Sequence, residues 1–193
     1  PIWKEACLQE LGAMEDNKTF SLVRLPGGKR AVGCRWVFTM KDGPNGEFAK
    51  ARLVAQGFSQ REGIDYNETF SPVIRYDSVR VLLAVAASRQ FKVHQMDVTT
   101  AFLHGAIDAE IYMKQPPGFE DAKKADYVWK LHKSIYGLKQ SPLCLYNKML
   151  TALEHFGFQK ASAEHGMFYL SNQKGDCMLG LYVDDLIIAG STM

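Results

Sequence analysis

Three aspartates carry the most specific chemistry in this sequence. Asp184 and Asp185 stand side by side within Leu179-Gly-Leu-Tyr-Val-Asp-Asp-Leu-Ile-Ile-Ala189, a run otherwise almost wholly apolar. Asp97 closes a second run, Phe91-Lys-Val-His-Gln-Met-Asp97. Carboxylates set among apolar neighbours are expected close to the core, where they lose hydration, and like charges held together repel. A divalent cation answers both costs. Each segment also has a plainer reading. Asp-Asp suits the tip of a hairpin, although it lacks the glycine that a tight two-residue turn favours. Asp97 suits the cap of a helix starting near Thr99. Taken together, one acid after a strand and a pair on a neighbouring hairpin can converge on two cations about 4 Å apart. Magnesium fits such a site, because it prefers a few carboxylates together with substrate phosphates. One ion would activate a primer hydroxyl, and the other would bind a triphosphate and its leaving pyrophosphate.

The elements that must position these acids follow from periodicity and punctuation. Residues 2–15 space their apolar positions as a helix does. Strand-like runs at 19–25, 31–41 and 48–58 are separated by Pro26-Gly27-Gly28 and Asp42-Gly43-Pro44-Asn45-Gly46, and predict a basic antiparallel sheet. Gly27-Gly28-Lys29 lacks the rest of a phosphate-binding loop and reads as a turn. After a looser segment, 59–72, a helix is expected over 78–89 with Asp77 as its cap. A buried strand over 91–96 then ends at Asp97, and a short helical stretch covers 99–104. Strands at 110–114 and 128–132 flank Pro116-Pro117-Gly118, and a helix over 142–156 has Pro142 in its first turn. Strands at 167–171, 177–183 and 186–189 close the chain, with Asp184-Asp185 at the last hairpin tip. Helices among mainly antiparallel strands indicate an α+β domain.

Bulk properties narrow the class. The 193 residues, 47% apolar, can bury a core without covalent staples. Cys7, Cys34, Cys144 and Cys177 form no paired or His-associated pattern and read as reduced thiols of an intracellular protein. His94, His104, His132, His155 and His165 show no ligand spacing. No signal-like segment opens the sequence, and the longest aliphatic run, 81–87, is too short to span a bilayer. The two Asn-x-Thr triplets, at Asn17 and Asn67, therefore read as chance. Net charge is only +2, but its distribution is uneven: residues 24–61 carry eight basic and two acidic side chains, and residues 62–120 carry five and eight. Residues 121–150 carry six and two. An acidic middle between basic flanks suits cations and anionic polymers bound side by side, although solvated faces would look the same on charge alone.

Five ordered blocks give a resemblance: Lys50-Ala-Arg-Leu-Val-Ala-Gln-Gly-Phe58, Glu68-Thr-Phe-Ser-Pro-Val73, Gln95-Met-Asp-Val98 with Ala101-Phe-Leu103, Tyr136-Gly-Leu-Lys-Gln140, and Tyr182-Val-Asp-Asp185. Over nearly its whole length the sequence resembles the reverse transcriptases of Ty1/copia-type LTR retrotransposons. The resemblance implies a right-hand polymerase fold, with residues 1–76 mainly fingers and 77–193 mainly palm with interleaved fingers elements. It implies RNA-directed DNA polymerase activity, two Mg2+ ions (or Mn2+), an RNA template, a DNA or RNA primer and deoxynucleoside triphosphates. Asp97 and Asp184 fall on the direct metal-ligand positions, with Asp185 less essential. Phe102 matches the aromatic gate that crowds a ribose 2′-hydroxyl. Tyr136, Gly137 and Tyr182 match substrate-binding segments. Lys50 and Arg52, two apart on one strand face, are candidates to contact the triphosphate. A cytoplasmic, virus-like-particle location that allows a nuclear phase is also implied, with no membrane and no secretion.

Some positions depart from the family. Leu143 and Leu145 stand where arginine and tryptophan are usual, and no aspartate is evident near Glu164-His165. These departures keep open a second reading, a catalytically inactive relic that retains only nucleic-acid binding; the intact Asp97, Asp184 and Asp185 weigh against it. A metal nuclease is a third reading, for which no added His/Glu constellation exists. The sequence stops at Met193, before the family's remaining palm strands, thumb and ribonuclease H parts. The expectation is a polyprotein fragment that, alone, extends primers weakly or not at all.

Overall fold

A computed structural model of the protein describes residues 1–44 and 46–191. Asn45, in the expected 42–46 turn, and the terminal Thr192 and Met193 lie outside the described residues. In chain order the elements are α1 (Ile2–Asp16), β1 (Phe20–Arg24), β2 (Ala31–Val32), β3 (Cys34–Gly43), β4 (Gly46–Ala55), α2 (Tyr76–Ser88) and β5 (Lys92–Asp97). There follow β6 (Ala106–Met113), β7 (Tyr127–Lys133), α3 (Ser141–His155), β8 (Gln159–Lys160), β9 (Met167–Asn172), β10 (Gly175–Tyr182) and β11 (Asp185–Gly190). Short 3-10 turns cover Gly57–Ser59 and Ala101–His104. This is the mixed α and β content expected. The elements form two compact units, Pro1–Thr69 with Phe102–Cys144 and Phe70–Ala101 with Leu145–Met193.

In the first unit, β3 and β4 form a long antiparallel hairpin, in register from Cys34↔Ala55 to Gly43↔Gly46. One face is buried at Ala51, Leu53 and Ala55, and α1 covers it with Ala6 and Cys7. Glu10 on α1 accepts the Leu53 N–H at 3.2 Å, satisfying a donor on the open edge of β4. The three runs at 19–58 do not make one sheet. Gly33 splits the second run, and β1 instead joins a four-stranded sheet in the order β1-β7-β6-β2, its β2–β6 pair parallel. Burial decides this: Phe20 and Leu22 of β1 pack with Trp129, Leu131 and Met14, a core the β3–β4 hairpin alone does not supply.

The second unit is an antiparallel sheet in the order β5-β11-β10-β9-β8. Strand alternation puts Ile187 and Ala189 on the face covered by Leu82 and Ala86 of α2. Leu186, Leu179 and Leu181 face Tyr146 and Leu153 of α3. Two expectations are corrected here. Asp77 does not cap α2: the helix starts at Tyr76, Arg75 is its N-cap residue, and Asp77 sits in the first turn. Strand β5 is exposed along its whole length, because it is a sheet edge and its apolar residues Val93 and Met96 fall on opposite faces. Among the described residues no helix is long and apolar enough to cross a membrane. All four cysteines are free, and burial pushes the Cys34 and Cys144 thiols up to about 11.

Candidate active site

Strands β10 and β11 are joined by a two-residue turn, with Tyr182 paired to Asp185. The tip is therefore Val183–Asp184, one residue earlier than the sequence suggested, and Asp185 belongs to β11. Val183 has φ +57, a conformation that a β-branched residue adopts only under strain. A glycine-free turn is thus made by forcing valine into the left-handed region.

On the other edge of β11, β5 runs antiparallel with Asp97 directly opposite Asp185. Directly opposed residues share a face with Cβ atoms roughly 4.5–5.5 Å apart, and like charges in that relation destabilise the pair. The ladder reaches one step further: the Val98 N–H donates to the Asp184 carbonyl at 3.0 Å. All three acids therefore meet at one end of the second unit's sheet. They are not buried as expected. Asp97 and Asp185 are exposed and Asp184 is half-buried, for β5 is a sheet edge and Asp184 lies in the turn at the end of the β10–β11 ladder. Tyr182 shares the Asp97/Asp185 face, which continues into an apolar groove of about 750 Å3 lined by Val93, Gly180 and Ile187 among others.

Oxygen donors of this kind are those a hard cation takes. Among the described residues no three His, Cys, Asp or Glu side chains are gathered closely enough to form a cage by themselves. Magnesium does not require one, since it keeps several waters and completes its shell with one or two carboxylates and substrate phosphates. The carboxylates of Asp97, Asp184 and Asp185, brought to one end of this sheet, are donors of that kind.

The remaining candidates lie in the first unit. The Phe102 ring meets the Tyr136 ring edge-on, with centroids 4.7 Å apart, and the Arg52 guanidinium lies 5.2 Å from the centre of the same Tyr136 ring. The Tyr136 carbonyl accepts the Ala55 N–H at 2.7 Å. Gly137 follows with φ +90, and a Cβ there would strike the Ala55 carbonyl oxygen and Val54. Only glycine lets the two backbones approach this closely. Phe102 is held from below by Ser134, whose hydroxyl donates to the Phe102 carbonyl at 2.6 Å.

Lys50 and Arg52 do share a face of β4, opposite the buried Ala51 and Leu53. The register adds two residues that inspection of the sequence missed. Arg35 and Lys41 of β3 pair with Val54 and Phe48, so they fall on that same face, while Asp42 and Glu47 fall on the other. One face of the hairpin thus carries four cations and no carboxylate. Period-two alternation about the Gly43↔Gly46 pair was the available signal. At the buried side of the hairpin, burial raises the Glu10 carboxyl, against lowering by the Leu53 N–H and by Lys50 and Arg52.

Glu164 lies at a node of the second unit. Its Oε2 accepts from Arg75 Nε at 2.8 Å, from the Ser78 hydroxyl at 2.7 Å and from the Arg75 N–H at 3.3 Å. Burial would raise this carboxyl, but those donors hold it down to about 2. Leu143 is half-buried and Leu145 fully buried on α3.

Comparisons with known proteins identify the family. The family model described as reverse transcriptase (RNA-dependent DNA polymerase) matches residues 17–193. The chain is 44% identical over 192 residues to the retrovirus-related Pol polyprotein from transposon RE2 of Arabidopsis thaliana, covering 98% of this chain and 13% of that protein. It is 43% identical to the corresponding polyproteins from transposon RE1 of Arabidopsis thaliana and transposon TNT 1-94 of Nicotiana tabacum, covering 13% and 14% of them. It thus spans only a small part of the length of these relatives. With the match running through every block that carries the candidate site, the chain belongs to the reverse transcriptase (RNA-dependent DNA polymerase) family, in its Ty1/copia-type retrotransposon branch.

Proposed function

We propose that this chain contributes the polymerising site of a retrotransposon reverse transcriptase, adding deoxynucleotides to a primer 3′-hydroxyl on an RNA template. The observation that carries this is the meeting of Asp97, Asp184 and Asp185 at one sheet end through the Asp97↔Asp185 register and the Val98–Asp184 hydrogen bond. In this reading the first unit supplies fingers elements and the second the palm of a right-hand polymerase. Asp97 and Asp184 would hold Mg2+ or Mn2+, with Asp185 supporting. When bound, the ions supply hydroxyl activation and charge neutralisation for phosphoryl transfer.

The chain's own residues supply orientation. Tyr136 and Gly137 line the nucleotide pocket, and Tyr136 fixes Phe102 edge-on so that the ring can exclude a 2′-hydroxyl. Lys50 and Arg52, on the cationic face that Arg35 and Lys41 extend, attract the triphosphate or a strand backbone. Tyr182 presents its exposed ring beside Asp185, where it can meet the primer terminus. The remaining partners are the other parts of the Pol polyprotein, within cytoplasmic particles.

The test is primer extension on an RNA template with Mg2+, using the polyprotein segment that contains this chain, with Asp184→Asn as control. Extension by the wild type and none by Asp184→Asn is expected. A wild type that binds template but incorporates nothing would instead establish the relic reading.

A further inference from the structure

We infer that Glu164 is a positioning residue for the catalytic turn, acting through the backbone of Leu181. This rests on the polymerase reading of Asp97 and Asp184. Strand β9 stops pairing with β10 at Met167↔Gly180. The next residue of β10, Leu181, is held by two other segments: its N–H donates to the Gly166 carbonyl at 2.7 Å, and its carbonyl accepts from the Ile74 N–H at 2.8 Å. One residue later come Tyr182, Val183 and Asp184. Just before the turn, then, the outer edge of β10 is bonded by Ile74 and Gly166 at Leu181 in place of the β9 ladder.

Glu164 ties those two segments together. Its Oε2 is bound by Arg75 and Ser78, directly after Ile74, as above. Its Oε1 accepts the Gly166 N–H at 3.4 Å, and Arg75 Nη2 donates to the Ala163 carbonyl at 3.2 Å. The side chain is only 12% exposed, so solvent competes little for these donors. Packing leaves no slack: a Cβ on Gly166 would strike the Ile74 backbone nitrogen. Tyr146 adds a third anchor, donating its hydroxyl to the His165 carbonyl at 3.0 Å. The carboxylate also supplies α2 with the negative charge at its N-terminus that its own N-cap residue does not. A strained turn holds its shape only where its surroundings over-determine it. Here the β11 ladder fixes one side of β10, and the Glu164 node fixes the other.

The consequence is kinetic. The hydrogen bonds of Glu164 run to Arg75, Ser78 and Gly166 and, among the described residues, to none of the three aspartates, so loosening it should displace Asp184 without emptying the nucleotide pocket, and small displacements of reacting groups cost up to about 100-fold in rate. The experiment is nucleotide incorporation by Glu164→Gln in the polyprotein segment used above, assayed well below its melting temperature. A fall in kcat of roughly 10- to 100-fold with the deoxynucleotide KM within about twofold is expected. A kcat within about threefold of wild type, whatever the change in melting temperature, overturns the inference, as does a change confined to KM. Should Glu164→Gln not fold, Ser78→Ala removes one of the node's bonds and is judged by the same split. Failure of the wild type to extend at all would refute the polymerase reading first, and is distinguishable from failure of this inference alone.

Discussion

Gly137→Ala offers the sharpest test of how the segment that carries Tyr136 and Gly137 is built. An L residue at φ +90 costs about 1–2 kcal/mol in backbone strain. The new methyl would lie on the Ala55 carbonyl oxygen and 2.7 Å from a Val54 methyl, so β4 or the 136–138 segment must shift, an overpacking cost of about 1–3 kcal/mol. The shift also strains the 2.7 Å bond from Ala55 N–H to the Tyr136 carbonyl, worth about 1 kcal/mol. Against this, alanine lowers the entropy of the unfolded chain by about 0.4–1 kcal/mol. The net expectation is a loss of about 2–5 kcal/mol. The assay is built into the sequence: Trp3, Trp36 and Trp129, its three tryptophans, all lie in the first unit, so their fluorescence reports that unit's unfolding. In urea, with a slope of about 1–3 kcal/mol per M, the midpoint should fall on the order of 1–2 M. Gly12→Ala is the matched control, for a Cβ at Gly12 within α1 meets nothing, and removing a helix-interior glycine should stabilise by about 0.5–1 kcal/mol. The same substitution thus has opposite signs at two glycines. A Gly137→Ala midpoint within about 0.3 M of wild type would refute the close-approach argument.

Other expectations follow from the same contacts. Mg2+ should raise the melting temperature of the wild type, by the equivalent of about 1.4 kcal/mol at tenfold its dissociation constant; Asp97→Asn and Asp184→Asn should abolish the shift, and a shift that survives both would place the ion elsewhere. Phe102→Val should weaken discrimination against ribonucleotides by about 10- to 200-fold in kcat/KM ratio, read by paired incorporation assays; unchanged selectivity would remove Phe102 as the gate. Glu110, with Lys29, Tyr112 and Lys130 as donors, and Glu164 are both held down to about 2. Because their folded values lie below the unfolded value near 4.5, they stabilise the fold above that pH, and the contribution drains away as pH falls from about 4.5 toward 2. Glu110→Gln should flatten that acid limb, and an unchanged limb in pH-dependent denaturation would contradict the assigned donors. Val183→Gly should unfold no more easily than Val183→Ala, since glycine removes the strain that alanine keeps; circular dichroism melts of the pair decide it.

The sequence by itself singled out the three acids as candidates and placed most of the elements. Asp97 and Asp184-Asp185 stood out because charge interrupting apolar runs is costly and therefore informative. The helices at 2–15 and 142–156 and the closing strands emerged within a residue or two, since amphipathic period and Gly/Pro punctuation are local properties. The α+β class followed from their order. What tertiary structure decided was pairing and exposure, which depend on partners distant in the chain. Phe20 and Leu22 sit in a run that looks like the first strand of a basic antiparallel sheet with 31–41 and 48–58, yet they pair with β7, more than a hundred residues away, because that is where their apolar face finds a core. Val93 and Met96 read as buried, but lie on an edge strand with apolar residues split between faces. Asp77 had the right residue type for a cap, while the carboxylate that serves α2 came from Glu164 on another segment. The turn at the site is the clearest case. Composition placed two aspartates at its tip, whereas the register of β10 and β11 put a strained Val183 beside Asp184 and left Asp185 in the strand opposite Asp97. Residue types announce what a site can do; only the ladder of strands fixes which carboxylates face one another.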